Sequence, residues 1–101
     1  MGLIPPLNGL RLFEAAARCG SFKLAAQELN LTPGAVSHGI NSLEKWLDVE
    51  LFDRRRGLVL TQAGLDYLSY ISKALLTIAN GTNEISAADQ NTHDSSALPA
   101  K

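Results

Sequence analysis

Two groups of residues in this sequence could take part in chemistry. The first is Ser37-His38, in which a hydroxyl beside an imidazole could be a catalytic pair, hold a metal ion or touch a partner. The second is Arg54-Arg55-Arg56, a run of guanidinium groups of the kind that binds phosphates and carboxylates. The chemistry open to each group depends on the secondary structure that positions it.

Ser37 and His38 lie in a segment with a clear helix start. Thr32 offers a hydroxyl N-cap, and Pro33 suits the first helical position. At about 100° per residue, four apolar residues form one narrow stripe: Val36, Ile40, Leu43 and Leu47. The opposite face carries Gly34, Ser37, His38, Asn41 and Lys45.

This helix places Ser37 and His38 on the polar side, away from the core. Residues one apart on a helix do not face each other, so the pair lacks the geometry of a catalytic dyad. Gly39 flanks the apolar stripe, where its lack of a side chain is expected to permit close helix packing. We therefore expect Ser37 and His38 to point toward a partner or toward solvent.

Two further helices are predicted before this one. Asn8 is expected to cap the first helix, and Gly20 to end it in the left-handed conformation. Ser21 is expected to cap a short second helix, and Asn30-Leu31 to form the turn that follows. One side of the second helix is predicted to carry Leu24, Ala25 and Leu29.

The arginine run lies between two short apolar stretches. Phe52 on one side, and Leu58 and Leu60 on the other, have the alternation of strands, which predicts a two-stranded hairpin with an arginine tip. A solvated face is the commoner outcome for a charge run. Because this hairpin directly follows two helices joined by a turn, we expect its arginines to contact a partner rather than to form a solvated face.

A longer helix is predicted to begin near Gln62, with Thr61 as its cap. Its apolar residues cover an arc wider than one neighbour requires, which indicates a second surface that meets another chain. Asn80-Gly81 interrupts the pattern, so fraying or a bend is expected between residues 80 and 88, and a disordered tail from Asp89. The residues of the arc are Leu65, Leu68, Ile71, Leu75, Leu76, Ile78 and Ala79.

Composition limits the class of protein. The 101 residues carry a net charge of −1, which argues against indiscriminate nucleic-acid binding. Residues 1–60 nevertheless hold seven Lys and Arg against six Asp and Glu, whereas residues 61–101 hold two against four. The single Cys19 forms no internal disulfide and is expected to be a small buried hydrophobe. We expect one small cytosolic domain, since neither a signal peptide nor a run of about 18–20 apolar residues is present.

The order of elements predicts a function. The second and third helices form a helix-turn-helix, and the third begins with small and hydrogen-bonding side chains that face outward. Such a helix end suits a DNA major groove: its small side chains let the backbone approach the base edges, from which bulky side chains would hold it away. Ser37 and His38 are then base-edge or phosphate donors, and the hairpin arginines reach the flanking backbone or a narrow minor groove.

Several short motifs then resemble a known family. They are F-x-x-A-A at 13–17, S-F-x-x-A-A-x-x-L at 21–29, T-P-x-A-V-S-H at 32–38, L-F-x-R at 51–54 and L-T-x-A-G at 60–64. Together, residues 10–64 resemble the N-terminal winged helix-turn-helix of LysR-type transcriptional regulators, in the branch of the glycine-cleavage and β-lactamase regulators. Each motif is weak alone, and their shared order and spacing make the resemblance strong.

The resemblance implies a mostly α fold, with three helices and a two-stranded hairpin wing over residues 1–61. A linker helix over 62–88 would form a homodimer, and residues 89–101 would be a disordered tail. The implied function is that of a bacterial regulator that binds an inverted-repeat operator, with residues 32–47 in the major groove and wing arginines in the minor groove. RNA polymerase is a candidate further partner.

The resemblance also implies roles for individual residues. Arg56 is the best match to the arginine that enters the minor groove, and Arg55 is the second. Ser21 and Lys23 match positions that hold phosphates. The start of the recognition helix matches at Thr32, Pro33, Gly34, Ser37 and His38, and the predicted interface is completed by Asn41 and Arg54.

Two departures from the family bear on function. Many members carry Arg and Gln where this chain has His38 and Gly39, so its base preference is expected to differ. LysR-type regulators also continue into an effector domain of about 200 residues, which this sequence lacks, so the chain is either an excised fragment or a naturally short regulator. No cofactor, metal or small-molecule ligand is expected.

A second function stays open beside DNA binding. The near-neutral charge and the wide apolar arc would also suit a winged-helix protein-interaction module that does not bind DNA. Elution from heparin without added salt would favour that alternative. An enzyme is not expected, because the sequence shows no carboxylate pair, metal cluster, activated nucleophile or phosphate-binding glycine loop.

Overall fold

The computed structural model describes residues 4–55 and 57–96. Its elements follow the predicted order, and the mostly α, winged helix-turn-helix fold class is confirmed. The helices and strands are α1 (Leu7–Cys19), α2 (Phe22–Leu29), α3 (Pro33–Leu47), β1 (Phe52–Asp53), β2 (Val59–Leu60) and α4 (Gln62–Ser96).

Local side-chain chemistry sets most of the helix ends. The Ser21 hydroxyl oxygen accepts the Leu24 N–H at 3.1 Å, and Thr32 caps α3 in the same way. Gly20 and Asn30 end α1 and α2 in the left-handed conformation, with φ of 70° and 59°. These predictions are confirmed, but the prediction for Asn8 is wrong. The helix already begins at Leu7, after Pro6, and no side chain caps it.

The core forms where α1, α2, α3 and the hairpin meet. Phe13 is fully buried at its centre, with ring centroids 5.6 Å from Phe52 and 5.9 Å from Tyr67. Phe22 packs edge-on against Phe52 at 6.1 Å. This aromatic cluster therefore fixes the hairpin and the start of α4 against the helix-turn-helix.

The short helix α2 buries Ala25 and Ala26, and Leu29 is half-buried. Leu24 was predicted to share one side of the helix with Ala25 and Leu29, but it is 51% exposed. The prediction for Leu24 is wrong. Two adjacent alanines let α2 lie close to α1 and α3, and this closeness decides which face is buried.

Two smaller predictions concern α1 and α3. Val36, Ile40 and Leu43 are buried as predicted. A Cβ at Gly39 would overlap Leu12 Cδ1 of α1, so the predicted close approach at this glycine is confirmed. Cys19 is half-buried rather than buried, and its Sγ lies 3.7 Å from Glu28 Oε1.

The hairpin is short and is joined closely to α4. Phe52 pairs with Leu60, and Asp53 with Val59, in antiparallel register. The Thr61 hydroxyl accepts the Gly64 N–H at 3.0 Å, which confirms Thr61 as the cap of α4. A Cβ at Gly64 would overlap the Leu51 carbonyl oxygen, so this glycine lets α4 begin directly against the hairpin.

Helix α4 is longer than predicted. It continues through Asn80-Gly81 and ends at Ser96, whereas fraying or a bend was predicted between 80 and 88 and a disordered tail from Asp89. The remainder of that tail, residues 97–101, lies outside the described residues. At about 1.5 Å per residue a helix of 35 residues is about 50 Å long, so α4 extends well beyond its contacts with the core at Tyr67, Leu68, Ile71 and Leu75.

The apolar residues of α4 divide into two groups. Ile71 is 6% exposed, and Leu68 and Leu75 also pack against the core of their own chain. Leu65, Leu76, Ile78 and Ala79 are exposed. Within the described part of the chain, no helix is both long enough and apolar enough to cross a bilayer.

Candidate nucleic-acid interface

The N-terminal end of α3 is an exposed surface of low relief. Thr32, Pro33 and Gly34 are all exposed, and a Cβ at Gly34 would meet nothing closer than the Thr32 hydroxyl at 4.0 Å. The Thr32 hydroxyl oxygen accepts the Ala35 N–H at 3.1 Å, so Thr32 is both part of this surface and the cap of α3. A flat surface could approach this helix end without obstruction by long side chains.

The next turn of α3 carries the polar face predicted from the sequence. His38 and Asn41 are exposed, and Ser37 is half-buried. His38 and Asn41 are three residues apart and therefore lie side by side on the helix. Together with the helix end, they form a continuous polar strip opposite the buried Val36 and Ile40.

The structure holds Arg54 against the protein. Its Nη2 donates to Asn41 Oδ1 at 3.1 Å and lies 3.1 Å from Glu44 Oε1. Its guanidinium carbon is 5.7 Å from the centre of the Phe22 ring. Arg54 thus contacts both helices of the helix-turn-helix, and its predicted direct contact with DNA stays a prediction.

Arg55 lies at the tip and is much more exposed. Its side chain is 88% exposed, and its Nε donates to Asp53 Oδ1 at 3.1 Å. The hydrogen bond and the charge of Asp53 raise the pKa of Arg55, so the guanidinium keeps its charge. Gly57, with φ of 84°, supplies the left-handed residue that closes the turn. Arg56, the predicted minor-groove residue, lies outside the described residues.

The start of α2 holds the two residues predicted to contact phosphates. Ser21 is half-buried, and its hydroxyl oxygen is already the acceptor for the Leu24 N–H. Lys23 is exposed. The hydroxyl proton of Ser21 and the ammonium group of Lys23 are both donors, as a phosphate requires.

Sequence reasoning missed Glu44, which joins α3 to the hairpin. Its Oε2 accepts the N–H groups of Leu51 and Phe52 at 2.7 and 3.2 Å, while Oε1 pairs with Arg54. The side chain is 11% exposed. The one signal in the sequence is an acidic residue next to the apolar stripe, a few residues before the arginine run.

The sequence of the chain is similar to a known family and to several curated regulators. Residues 7–65 match the family described as "Bacterial regulatory helix-turn-helix protein, lysR family". The chain is 47% identical over 85 residues to the glycine cleavage system transcriptional activator of Escherichia coli (strain K12), covering 83% of this chain and 28% of that protein. It is 51% identical over 70 residues to the HTH-type transcriptional activator AmpR of Providencia stuartii, covering 68% and 24% respectively.

A solved structure shows the same likeness. The BenM_DBD/benA site 1 DNA complex superposes with a TM-score of 0.77 at 27% identity, covering 84% of this chain and 97% of that one. The curated relatives are longer, since the chain spans 28% of the glycine-cleavage activator and 24% of AmpR.

Proposed function

Because the chain belongs to the lysR family of bacterial regulatory helix-turn-helix proteins, as its motifs predicted, we propose that it binds a specific operator in double-stranded DNA as a homodimer and thereby regulates transcription. The observation that carries this proposal is the exposed polar strip at the start of α3, flanked by a wing with an exposed arginine. The likeness to a DNA-binding domain in complex with DNA supports it.

The proposed contacts divide by groove. The first turns of α3 enter the major groove, where Ser37 and His38 meet base edges or phosphates. The wing lies over the adjacent minor groove, whose negative potential attracts Arg56 or Arg55. At the start of α2, Ser21 and Lys23 hold phosphates and fix the orientation of the domain.

A net charge of −1 makes the positive footprint local. The protein therefore gains little long-range attraction to DNA, and its affinity depends on a few placed contacts. Replacing Arg56 with alanine is expected to weaken binding and to lower the salt dependence by about one unit in the log–log slope. The matched control is Arg18→Ala, since Arg18 is a surface arginine of α1 that pairs with Glu14 and Glu28 and is not among the proposed contacts. An unchanged slope for Arg56→Ala would remove that arginine from the contact.

The homodimer is proposed to form through exposed apolar residues of α4. Leu76 and Ile78 are 62% and 52% exposed, and Ile85 farther along is 73% exposed. Burying such side chains against a second copy is favourable by about 25 cal/mol per Å² of apolar surface. Leu65, Leu76, Ile78 and Ala79 stay in the proposed interface, with Leu68 and Leu75 at its edge. Ile71 is not part of the proposed interface, because it is already buried in the core of its own chain.

Sedimentation tests the dimer directly. The Leu76→Lys variant is expected to sediment as a monomer at concentrations where the unaltered chain is dimeric, because a charge would be buried in the contact. Leu24→Lys is the matched control, since Leu24 is 51% exposed on α2. A monomeric unaltered chain at high micromolar concentration would contradict the proposal.

The decisive experiment is selection of bound duplexes from a random DNA pool at near-physiological salt, followed by sequencing. Two enriched inverted half-sites, about 10 base pairs or a multiple of it apart, would establish a dimeric reader. A single enriched half-site would contradict dimeric recognition. No enrichment by the folded protein would favour the protein-interaction module, and elution from heparin without added salt would agree with that result.

The remaining proposals concern the cellular setting. A regulator of this kind acts on the bacterial nucleoid in the cytoplasm, and RNA polymerase is its proposed further partner. The relatives are transcriptional regulators, and we propose no catalytic role for the chain. No small-molecule ligand or cofactor is proposed.

A further inference from the structure

The side chain of Asn41 is held in one orientation by its neighbour on the wing. Arg54 Nη2 lies 3.1 Å from Asn41 Oδ1. A guanidinium has donors but no acceptor, so the atom that faces it must be the amide oxygen rather than the NH₂ group. The chemistry of the pair therefore fixes which end of the amide faces the protein.

Arg54 itself has little freedom. Glu44 Oε1 is 3.1 Å from its Nη2, and the Phe22 ring lies beneath its guanidinium carbon at 5.7 Å. Glu44 is in turn held by the N–H groups of Leu51 and Phe52. The orientation of the Asn41 amide is thus tied to the packed junction of α2, α3 and the hairpin.

Asn41 also lies where DNA would meet the helix. It is exposed, and it neighbours His38 on the polar face of α3. With its oxygen turned to Arg54, the amide directs its NH₂ group away from that partner and toward another molecule. An NH₂ group donates hydrogen bonds and cannot accept them.

We propose that Asn41 recognises an acceptor atom on the operator through its NH₂ group, and that Arg54 is the positioning residue that sets this orientation. The acceptor is a phosphate oxygen or an acceptor on a base edge, such as guanine O6 or N7 or thymine O4. The proposal commits Asn41 to donating a hydrogen bond, whichever of these atoms accepts it. It rests on the proposed DNA-binding function.

The test begins from the duplex that the unaltered 101-residue chain selects. Asn41→Leu keeps the size of the side chain and removes its donor. Its affinity is expected to fall about tenfold, which corresponds to about 1.4 kcal/mol. Asn8→Leu, at an exposed asparagine in the first turn of α1, is the matched control and should bind as the unaltered chain does.

A double-mutant cycle tests the role of Arg54. Arg54→Lys keeps a positive charge but loses the flat guanidinium that lies over the Phe22 ring and directs Nη2 to Asn41 and Glu44. It is expected to weaken binding several-fold in the unaltered chain and to have little further effect beside Asn41→Leu. Equal losses in both backgrounds would overturn the positioning role, because Arg54 would then act on DNA or on the fold by itself. Thermal unfolding of each variant identifies losses caused by misfolding.

Repeating the selection with the Asn41→Leu variant identifies the acceptor. Loss of a guanine or thymine preference at one position indicates a base-edge acceptor. Uniform weakening, with an unchanged salt slope, indicates a phosphate, because a neutral amide releases no counterion.

The outcomes separate this inference from the function on which it rests. If the unaltered chain enriches no sequence, DNA recognition fails and the inference falls with it. If the unaltered chain selects a site and Asn41→Leu binds that site equally well, DNA recognition stands and the inference alone is overturned.

Discussion

Replacing Glu44 with alanine is expected to lower the free energy of unfolding by about 3–5 kcal/mol. Its carboxylate accepts the Leu51 and Phe52 N–H groups and pairs with Arg54, while its side chain is 11% exposed. Alanine removes the acceptor of both backbone donors and leaves the guanidinium without its carboxylate. The hairpin would then lose its polar attachment to α3.

The magnitude follows from the separate contacts. Hydrogen bonds to a charged acceptor contribute about 1.5–3 kcal/mol each. The Leu51 and Phe52 donors lose theirs, and because both bonds are only part-buried the lower part of that range applies, about 1.5–2 kcal/mol each. The pair with Arg54 adds less than about 1 kcal/mol, since that side chain is 37% exposed and solvent screens the interaction. Glu44→Gln keeps an acceptor oxygen of similar reach and is expected to cost less, about 1–2 kcal/mol.

Urea unfolding followed by circular dichroism measures the difference. All variants must be compared at one protein concentration, because self-association would add to apparent stability. Glu14→Ala is the control. Its carboxylate pairs with Arg18 on the surface of α1, where such pairs contribute about 0.3–0.5 kcal/mol. If Glu44→Ala cost no more than Glu14→Ala, the carboxylate would not be what holds the hairpin to α3.

Two further predictions test the packing of α4. Gly64→Ala should lower the free energy of unfolding by about 3 kcal/mol, because its Cβ would overlap the Leu51 carbonyl oxygen. Gly81→Ala should raise it by up to about 1 kcal/mol, since nothing lies within 4 Å of a Cβ there. Equal urea midpoints for the two variants would refute the close contact at Gly64. Burial raises the pKa of the Tyr67 phenol above its ordinary 10.0. The folded chain then keeps a proton that the unfolded chain releases, so this stabilisation is present below about pH 10 and is lost as pH rises further. Tyr67→Phe should therefore lose less stability than the unaltered chain between about pH 8 and pH 11. Identical alkaline losses in the unaltered chain and in Tyr67→Phe would contradict the burial of that phenol.

Where the sequence predicted structure well, the controlling interaction spans a few residues. Ser21, Thr32 and Thr61 each cap a helix through an N–H three residues ahead, and a hydroxyl at that spacing can be seen in the sequence. Gly20 ends α1 for an equally local reason. The apolar stripe of α3 was predictable because a helix repeats at a fixed angle.

The wrong predictions concern features that depend on neighbouring residues, on helix packing or on the cooperativity of a long helix. Asn8 can cap a helix, but Pro6 lets α1 begin earlier, with its carbonyl accepting the Gly9 N–H at 3.1 Å. Leu24 is apolar, yet α2 turns its alanines inward because only small side chains fit so close to α1 and α3. Gly81 disfavours a helix by about 1 kcal/mol, which is too little to break the long hydrogen-bonded run of α4.

The order of elements, the caps of α2, α3 and α4, the polar face of α3 and the family of the chain could all be predicted from the sequence. The tertiary structure alone decided what those residues touch. Arg54 was predicted to lie at the hairpin tip, and in the structure it contacts Asn41 and Glu44. Ile71 was predicted to lie in the dimer interface, and in the structure it is buried in the core of its own chain. The physical reason is range: caps and periodicity act within one or two turns, whereas the Arg54–Asn41 contact joins residues 13 apart that meet only after the core has formed.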